Sequence, residues 1–188
     1  IALRNREGSK RHAEARIAIG RIWPDNIGES GPNGDKTRKS VAEQIIKVGN
    51  AENESLGIEI GYNYASSSII CKTDQDIMQD DPLEYTPTTT PGYRPPAIYL
   101  ANGKSIFDLF GSGYTLLNFL PGEIETSTFE FESNQLNIPF LTVAIEDKNA
   151  REVYGFNLVL IRPDQHIAWR GQKVPEDIPD ILRIISGN

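Results

Sequence analysis

Three short apolar runs in the second half of the chain most constrain its fold. Each run is too short for a typical helix and is nearly continuous in apolar residues, which is the pattern of a strand buried on both faces. The runs are residues 114–120 (YTLLNFL), 140–145 (FLTVAI) and 157–161 (NLVLI). The sequence therefore predicts a small buried sheet in this half of the chain.

The segments around these runs predict how the strands are connected. Residues 129–137 suit a helix, residues 163–166 make a turn, and residues 167–169 return as the partner strand of a hairpin. Pro175 opens a last helix that is apolar on one face. The order β-α-β, β-hairpin and C-terminal helix is that of a thioredoxin-like α/β domain, and the right-handed crossover rule permits it.

The first half of the chain predicts a mostly helical extension and a linker. Residues 4–19 and 35–50 favour helices, and residues 58–64 alternate like a half-buried strand. Residues 73–96 are rich in aspartate and proline, which is typical of a linker. The predicted division is a helical extension, a strand with its linker, and a thioredoxin-like domain, over residues 1–55, 56–96 and 97–188.

The charge distribution limits the classes of partner. The 188-residue chain has a formal net charge of −7, but residues 1–47 hold ten basic and six acidic side chains, whereas residues 48–188 are strongly acidic. The acidic part argues against nucleic-acid binding. The basic start is interpreted as a solvated helix face, or one that pairs with an acidic surface elsewhere in the protein, in preference to an anion-binding or nucleic-acid patch.

Neither a membrane span nor an export signal is expected. No apolar run approaches the ~20 residues that cross a bilayer, and no secretory signal is recognised. A single cysteine fits a reducing compartment, so a cytoplasmic location is expected. The chain starts at Ile1 rather than at methionine, which suggests a fragment or a trimmed product.

Several kinds of catalytic or metal site are excluded by residue type. Thiol–disulfide exchange requires a Cys-x-x-Cys at the helix after the first buried strand, whereas residues 120–126 read LPGEIET. Cys71 lies before the linker, so a one-cysteine peroxidase is dismissed as well, and Cys71, His12 and His166 are too few for a structural zinc site. The chain has neither a Gly-x-Ser-x-Gly elbow nor a Gly-x-Gly-x-x-Gly turn. No catalytic, cofactor-binding or metal-binding residue is therefore predicted.

Four residues are candidates for interdomain or pocket contacts. Tyr62 and Tyr64 share one face of the predicted strand and either flank a planar ligand or, as the pattern favours, pack in the core. Arg94 lies in a proline-rich segment and either pairs with a carboxylate of another domain or is simply exposed. Trp169 is assigned to the core or to an interface.

Several motifs resemble the C-terminal part of phenol hydroxylase-like, FAD-dependent aromatic-ring monooxygenases. The most distinctive are residues 103–111 (GKSIFDLFG) with 113–117 (GYTLL), and residues 158–170 (LVLIRPDQHIAWR). Residues 91–100 (PGYRPPAIYL) and 61–64 (GYNY) also resemble elements of that family. The resemblance covers residues 56–188, and residues 1–20 more loosely resemble the helix that closes the family's flavin domain.

The resemblance implies a parent enzyme that uses NADPH and FAD to hydroxylate a phenolic ring. The family's nucleotide-binding motifs lie upstream of the part that this chain resembles, so the chain itself is expected to bind neither cofactor. It is expected to be a non-catalytic scaffold that contacts the remaining flavin and substrate domains, or a second subunit of a homodimer. The alternative is a stand-alone, redox-inactive thioredoxin-like binding module.

Overall fold

A computed structural model describes residues 2–21, 23–49, 55–71, 81 and 84–188. These residues divide into two compact units. The first holds residues 2–21, 23–49 and 55–61 with 81, 84 and 85, and the second holds residues 62–71 and 86–188. In these described ranges, no helix has the length and apolar character that crossing a bilayer requires.

The first unit is helical, as the sequence predicts. Helix α1 spans Ala2–Arg21, and α2 spans Pro32–Val48 after a short 3₁₀ helix at Asp25–Gly28. Pro32 occupies the first turn of α2, where the missing N–H costs no helical hydrogen bond. Arg38 of α2 fixes the loop before the helix, because its Nη1 donates to the carbonyl oxygens of Ile27 at 2.7 Å and Glu29 at 2.8 Å.

The predicted strand at residues 58–64 is wrong, because the chain there forms helix α3 at Leu56–Glu59. The backbone N–H groups of Ile58 and Glu59 both donate to the carbonyl oxygen of Ser55, at 2.9 and 3.0 Å. A Cβ on Gly61 would lie 2.8 Å from the Gly57 carbonyl oxygen, so only glycine permits this compact turn. The apolar alternation that suggested a strand is therefore divided between a helix and an irregular segment.

The second unit is built on a four-stranded mixed sheet in the order β2-β1-β3-β4. Strands β1 and β2 are parallel, whereas β3 is antiparallel to both β1 and β4. Their bounds are Tyr114–Asn118 for β1, Phe140–Ala144 for β2, Leu158–Ile161 for β3 and Ile167–Gly171 for β4. Helices α4 and α6 span Ser127–Gln135 and Ile178–Ser186. The predicted α/β class and the order β-α-β, hairpin and helix are confirmed.

A further helix between β2 and β3 is absent from the sequence prediction. Helix α5 spans Lys148–Tyr154 and is only seven residues long. Its ends carry recognisable signals: Asp147 Oδ1 accepts a hydrogen bond from the Ala150 N–H at 2.9 Å, and Gly155 ends the helix with a φ of 69°. A helix this short has too few apolar residues to give a clear helical periodicity in the sequence.

The sheet separates two apolar clusters, one on each face. One contains residues such as Leu117, Tyr154 and Val159, and the other contains Leu116, Phe129, Leu160 and Leu182. Strands β1 and β3 are buried because they are central. Strand β2 was predicted to be buried, but it lies at the sheet edge, where Leu141 is 45% exposed. The sequence alone did not reveal which strand would take the edge.

The loop between residues 84 and 113 is ordered mainly by side-chain and turn contacts. Strand pairing at residues 98–100 is limited to an isolated bridge between Tyr99 and Ser105. Ser105 then caps a 3₁₀ helix at Ile106–Leu109 with a capping box that includes Asp108, as its sequence position predicts. Residues 73–80, part of the predicted linker, lie outside the described residues.

Candidate functional site

An aromatic cluster forms around the turn between β3 and β4. The ring centroid of His166 lies 5.1 Å from that of Tyr62 and 4.9 Å from that of Tyr64. The two tyrosine rings also contact each other edge to face, at 6.1 Å. His166 is only 1% exposed, whereas both tyrosines keep part of their surface exposed. The tyrosine rings thus cover the imidazole.

Backbone pairing through Gly92 holds the tyrosine segment beside the turn. The Gly92 carbonyl oxygen accepts a hydrogen bond from the Tyr64 N–H at 2.8 Å, and the Gly92 N–H donates to the Ile167 carbonyl oxygen at 2.7 Å. The Ile167 N–H in turn donates to the Tyr93 carbonyl oxygen at 2.9 Å. Gly92 has a φ of 94°, and a Cβ there would lie 2.5 Å from the Ala65 nitrogen. Only glycine meets both requirements.

His166 is a buried imidazole with one nitrogen engaged. Its Nδ1 lies 3.0 Å from the backbone carbonyl oxygen of Asp164, which can only accept, so Nδ1 carries the proton and donates. Nε2 is buried and has no hydrogen-bond partner among the described residues. Burial lowers the pKa of His166, and the positive charges of Arg94 and Arg162 lower it further, against the opposing effect of Asp164. The neutral form is therefore favoured.

Arg162 and Asp164 form a two-point ion pair beside the imidazole. Arg162 Nε and Nη2 donate to the Asp164 carboxylate at 3.1 and 2.9 Å. Burial by itself would raise the pKa of Asp164, but the hydrogen bonds and charge of Arg162 lower it overall. The remaining nitrogen, Arg162 Nη1, is buried without a hydrogen-bond partner in the described part of the chain. One donor edge of this arginine is thus unused.

Arg94 contributes a second guanidinium whose hydrogen-bonding capacity is unused. Its guanidinium carbon lies 4.5 Å from the centroid of the Phe107 ring, in cation–π geometry. Among the described residues, no hydrogen bond or ion pair involves the Arg94 side chain, which is partly buried. The Tyr93 carbonyl oxygen accepts the Ile167 N–H at 2.9 Å, so Arg94 and His166 lie on adjoining backbone segments.

The structure brings three of the four sequence candidates together. The rings of Tyr62 and Tyr64 contact His166 and Arg94 lies on the adjoining segment, whereas Trp169 packs into an apolar cluster with its ring 5.8 Å from that of Phe129. His166 was not among the candidates. Its signal was the close spacing of an arginine, an aspartate and a histidine at a hairpin turn, which places three polar side chains on one small loop.

Cys71, the single cysteine of the chain, does not belong to this cluster. The Cys71 N–H donates to the Ala168 carbonyl oxygen at 2.9 Å, and the Cys71 Sγ lies 4.0 Å from the Ile181 carbonyl oxygen. Burial raises the pKa of the Cys71 thiol to about 11, so almost none of it is thiolate near neutral pH. The cluster around His166 therefore has the composition of a binding site and lacks a nucleophile.

The turn between β1 and α4 is where a nucleotide phosphate would bind in many α/β domains. Here Asn118 Oδ1 accepts the Leu120 N–H at 2.9 Å, and the Glu125 carboxylate accepts the Ser127 N–H at 2.9 Å. A phosphate would thus meet occupied donors and a negative charge. These residues do not fit the pyrophosphate of a dinucleotide.

Comparison with known proteins shows that the chain is similar to one part of several larger proteins. The family model described as "Aromatic-ring hydroxylase, C-terminal" matches residues 88–188. The FAD-dependent monooxygenase apdD of Emericella nidulans is 36% identical over 160 residues, which cover 79% of this chain and 25% of that protein. Phenol 2-monooxygenase of a Pseudomonas species is 26% identical over 166 residues, covering 79% of this chain and 27% of that enzyme. The chain thus corresponds to about a quarter of the length of these curated relatives.

Comparison with solved structures also matches the chain to one part of a larger protein. The structure of the rebeccamycin biosynthetic enzyme RebC with reduced flavin matches with a TM-score of 0.78 and 27% sequence identity. The match covers 97% of this chain and 35% of that one. Both units of the chain therefore have counterparts in a larger protein.

Proposed function

The chain belongs to the aromatic-ring hydroxylase C-terminal family, and from this membership we propose that it is the C-terminal segment of an FAD- and NADPH-dependent monooxygenase that hydroxylates phenolic aromatic substrates. The proposal rests on the family match over residues 88–188, which extends to the last residue of the chain. The similarity to apdD and to phenol 2-monooxygenase, both monooxygenases by name, supports it.

The contribution of this segment is structural rather than catalytic. The single thiol of the chain, that of Cys71, is half-buried and has a raised pKa, and the polar cluster at His166 contains no cysteine in the described residues. The bound flavin of the parent enzyme would supply the oxygen chemistry. Since the turn after β1 does not fit a pyrophosphate, residues of the upstream domains would hold the flavin.

Exposed apolar side chains of the first unit favour packing against upstream domains. Ile46 on α2 is 77% exposed, Leu3 on α1 is 75% exposed, and Ile17 and Trp23 are more than half exposed. Contiguous apolar patches usually mark an interface, and we propose that these side chains pack against upstream domains of the parent enzyme. We assign residues 1–55 to the tail of the flavin domain and residues 97–188 to a separate thioredoxin-like domain joined to it by residues 56–96.

The same proposal includes the partners and location of the parent enzyme. The upstream flavin and substrate domains are the main partners, and a second copy of the enzyme is a further partner in a homodimer. The net charge of −7 disfavours nucleic acid. A cytoplasmic location accords with the supply of NADPH and with the single cysteine.

A stand-alone binding module is the alternative function. The polar cluster around His166 favours it, because unused hydrogen-bonding groups beside a buried imidazole can serve a ligand without any flavin. The two functions differ in what precedes residue 1 in the gene. A module would have its own start codon near that point.

Two measurements test the proposal. The upstream reading frame is expected to encode a Gly-x-Gly-x-x-Gly motif, and a start codon immediately before residue 1 would contradict the enzyme proposal. The 188-residue chain is then titrated with FAD while flavin fluorescence is followed. We expect no binding, and stoichiometric uptake of FAD with oxidation of NADPH would show that the chain is catalytic by itself.

A further inference from the structure

Two buried nitrogen atoms and one partly buried guanidinium group around the β3–β4 turn form no hydrogen bond in the described part of the chain. His166 Nε2 and Arg162 Nη1 are buried without partners, and the Arg94 guanidinium forms neither a hydrogen bond nor an ion pair in the described part of the chain. A buried polar group without a partner typically costs about 1–3 kcal/mol, so native proteins rarely leave such groups together. Their concentration at one turn indicates that a ligand completes the set.

The groups lie near one another by independent measures. Arg94 follows Tyr93, whose carbonyl oxygen accepts the Ile167 N–H at 2.9 Å, and Ile167 directly follows His166. Arg162 and His166 pair across the turn, because the Arg162 N–H donates to the His166 carbonyl oxygen at 2.8 Å. The charges of both arginines also act on the imidazole. The three side chains therefore share one small region of the second unit.

The charge balance selects the chemistry of the ligand. Before a ligand binds, His166 is neutral, and two guanidinium groups with the Asp164 carboxylate leave one positive charge uncompensated. A planar group with a single negative charge matches the planar donor edge of arginine. A phosphate dianion would bring a second negative charge toward Asp164, which is already paired with Arg162.

We propose that Arg94, Arg162 and His166 form a binding site for a carboxylate group. The Arg94 guanidinium, which stacks on the Phe107 ring, is the main donor, and the buried Arg162 Nη1 and His166 Nε2 are the further hydrogen-bonding atoms of the site. The rings of Tyr62 and Tyr64 cover the imidazole and are partly exposed, so a turn of these two side chains opens the site. This site does not depend on the proposed monooxygenase activity.

Carboxylate binding is coupled to a proton on His166. The charged and titratable groups that face the imidazole are Arg162 and Asp164 on its own hairpin, Arg94 on residues 93–96, and Tyr62 with Tyr64. A bound negative charge counters both arginines, so the protonated imidazole becomes more stable and Nε2 can donate to the ligand. An opposite charge within hydrogen-bonding distance typically shifts a pKa by about one unit or more.

The test follows the imidazole signals of the chain by NMR. The chain has two histidines, so His12 provides an internal control for the titration of His166. The pKa of each is measured with sodium acetate and with sodium chloride at equal ionic strength, because simple screening affects both salts equally. We expect acetate to raise the pKa of His166 by about one unit at saturation and to leave His12 unchanged.

Two variants separate the site from general effects of removing a stacked arginine. Arg94→Gln removes the main donor, so acetate should no longer shift His166, and the basal pKa of His166 should rise because a repelling charge is lost. Arg170→Gln removes another arginine that lies 4.3 Å from an aromatic centroid, that of Phe156, and should retain the acetate response. The dispersion of the methyl NMR signals verifies that both variants remain folded.

The outcomes are decisive. If acetate and chloride give the same His166 titration, or if Arg94→Gln responds to acetate as the unmodified chain does, the carboxylate site is refuted. If acetate shifts His166 in the chain, the same titration of a longer protein with its upstream residues identifies the source. If the pKa of His166 in the longer protein is already raised and acetate does not change it, an Asp or Glu of the protein fills the site. If acetate still raises the pKa of His166 there, a free carboxylate is the ligand.

Discussion

Replacement of Gly92 by alanine tests the backbone arrangement that holds the site together. The position has a φ of 94°, where a residue with a Cβ typically loses about 1–2 kcal/mol. The new Cβ would also lie 2.5 Å from the Ala65 nitrogen and 2.6 Å from its Cα. Relief of that overlap must move residues 64–65, which weakens the 2.8 Å hydrogen bond from the Tyr64 N–H at a cost of about 1 kcal/mol.

The expected loss of stability of the second unit is about 3–4 kcal/mol in total: about 1–2 kcal/mol from backbone strain, about 1 kcal/mol from the weakened hydrogen bond and about 1 kcal/mol from the steric overlap. Gly103→Ala is the matched control, since Gly103 has a φ of 80° but no atom within 4 Å of an added Cβ. Gly103→Ala should lower the free energy of unfolding only through backbone strain, by about 1–2 kcal/mol. The difference between the two variants therefore isolates the close contact with Ala65.

Urea unfolding monitored by tryptophan fluorescence measures this difference. The chain has two tryptophans, and replacement of the exposed Trp23 by phenylalanine leaves Trp169 as a reporter of the second unit. A 2 kcal/mol difference corresponds to a shift of the urea midpoint of about 1 M. If Gly92→Ala and Gly103→Ala unfold within about 0.5 kcal/mol of each other, the reasoning about this turn is wrong.

Three further predictions follow from the second unit. Phe129→Ala should lower the free energy of unfolding in urea by about 3–5 kcal/mol, because the Phe129 ring is fully buried. Phe131→Ala on the same helix should lower it by less than about 1 kcal/mol, because Phe131 is 59% exposed, and similar losses for the two variants would contradict this difference in burial. Burial keeps the pKa of His166 below its value in the unfolded chain, so the stabilising contribution of His166 is present above about pH 6.5 and is lost as the pH falls. His166→Asn should flatten the dependence of unfolding free energy on pH in this range, and an unchanged dependence would refute the prediction. Cys71→Ser should leave peroxide consumption unchanged, because burial raises the pKa of the thiol to about 11, and a loss of peroxide consumption would revive a thiol mechanism.

The order of strands and helices along the second half of the chain was predictable because its signals are local. Each central strand is an apolar run of a length typical for a strand, and the residues between β3 and β4 contain Pro163 at a turn. The closing helix was recognisable from apolar residues on one face. The edge position of β2 was not predictable, since it depends on which strands pair after the chain has folded.

The error at residues 58–64 has a physical explanation. Ile58, Ile60, Tyr62 and Tyr64 alternate with a period of two, which favours a strand. The close approach of Gly57 and Gly61 permits a helical turn instead, and glycine carries no apolar signal that would reveal it. The two tyrosines still lie together, but they do so around His166 rather than on a strand face.

The candidate site was only partly predictable, because its members are distant in sequence. His166 lies about a hundred residues beyond Tyr62 and Tyr64, and Arg94 comes from a third segment. The backbone hydrogen bonds of Gly92 and Ile167 bring these segments together, and backbone groups leave no trace in side-chain patterns. The sequence identified three members individually, whereas the shared position of all four required the fold.

The most direct test of the central claim is the intact mass of the natural protein, measured together with its visible absorption spectrum. Because 79% of this chain corresponds to 25% of apdD, that relative is about three times as long as this chain. We expect a protein of about that larger size whose spectrum contains the absorption bands of an oxidised flavin. A natural protein of 20.9 kDa without flavin absorption would contradict the assignment to a monooxygenase and would favour the stand-alone binding module.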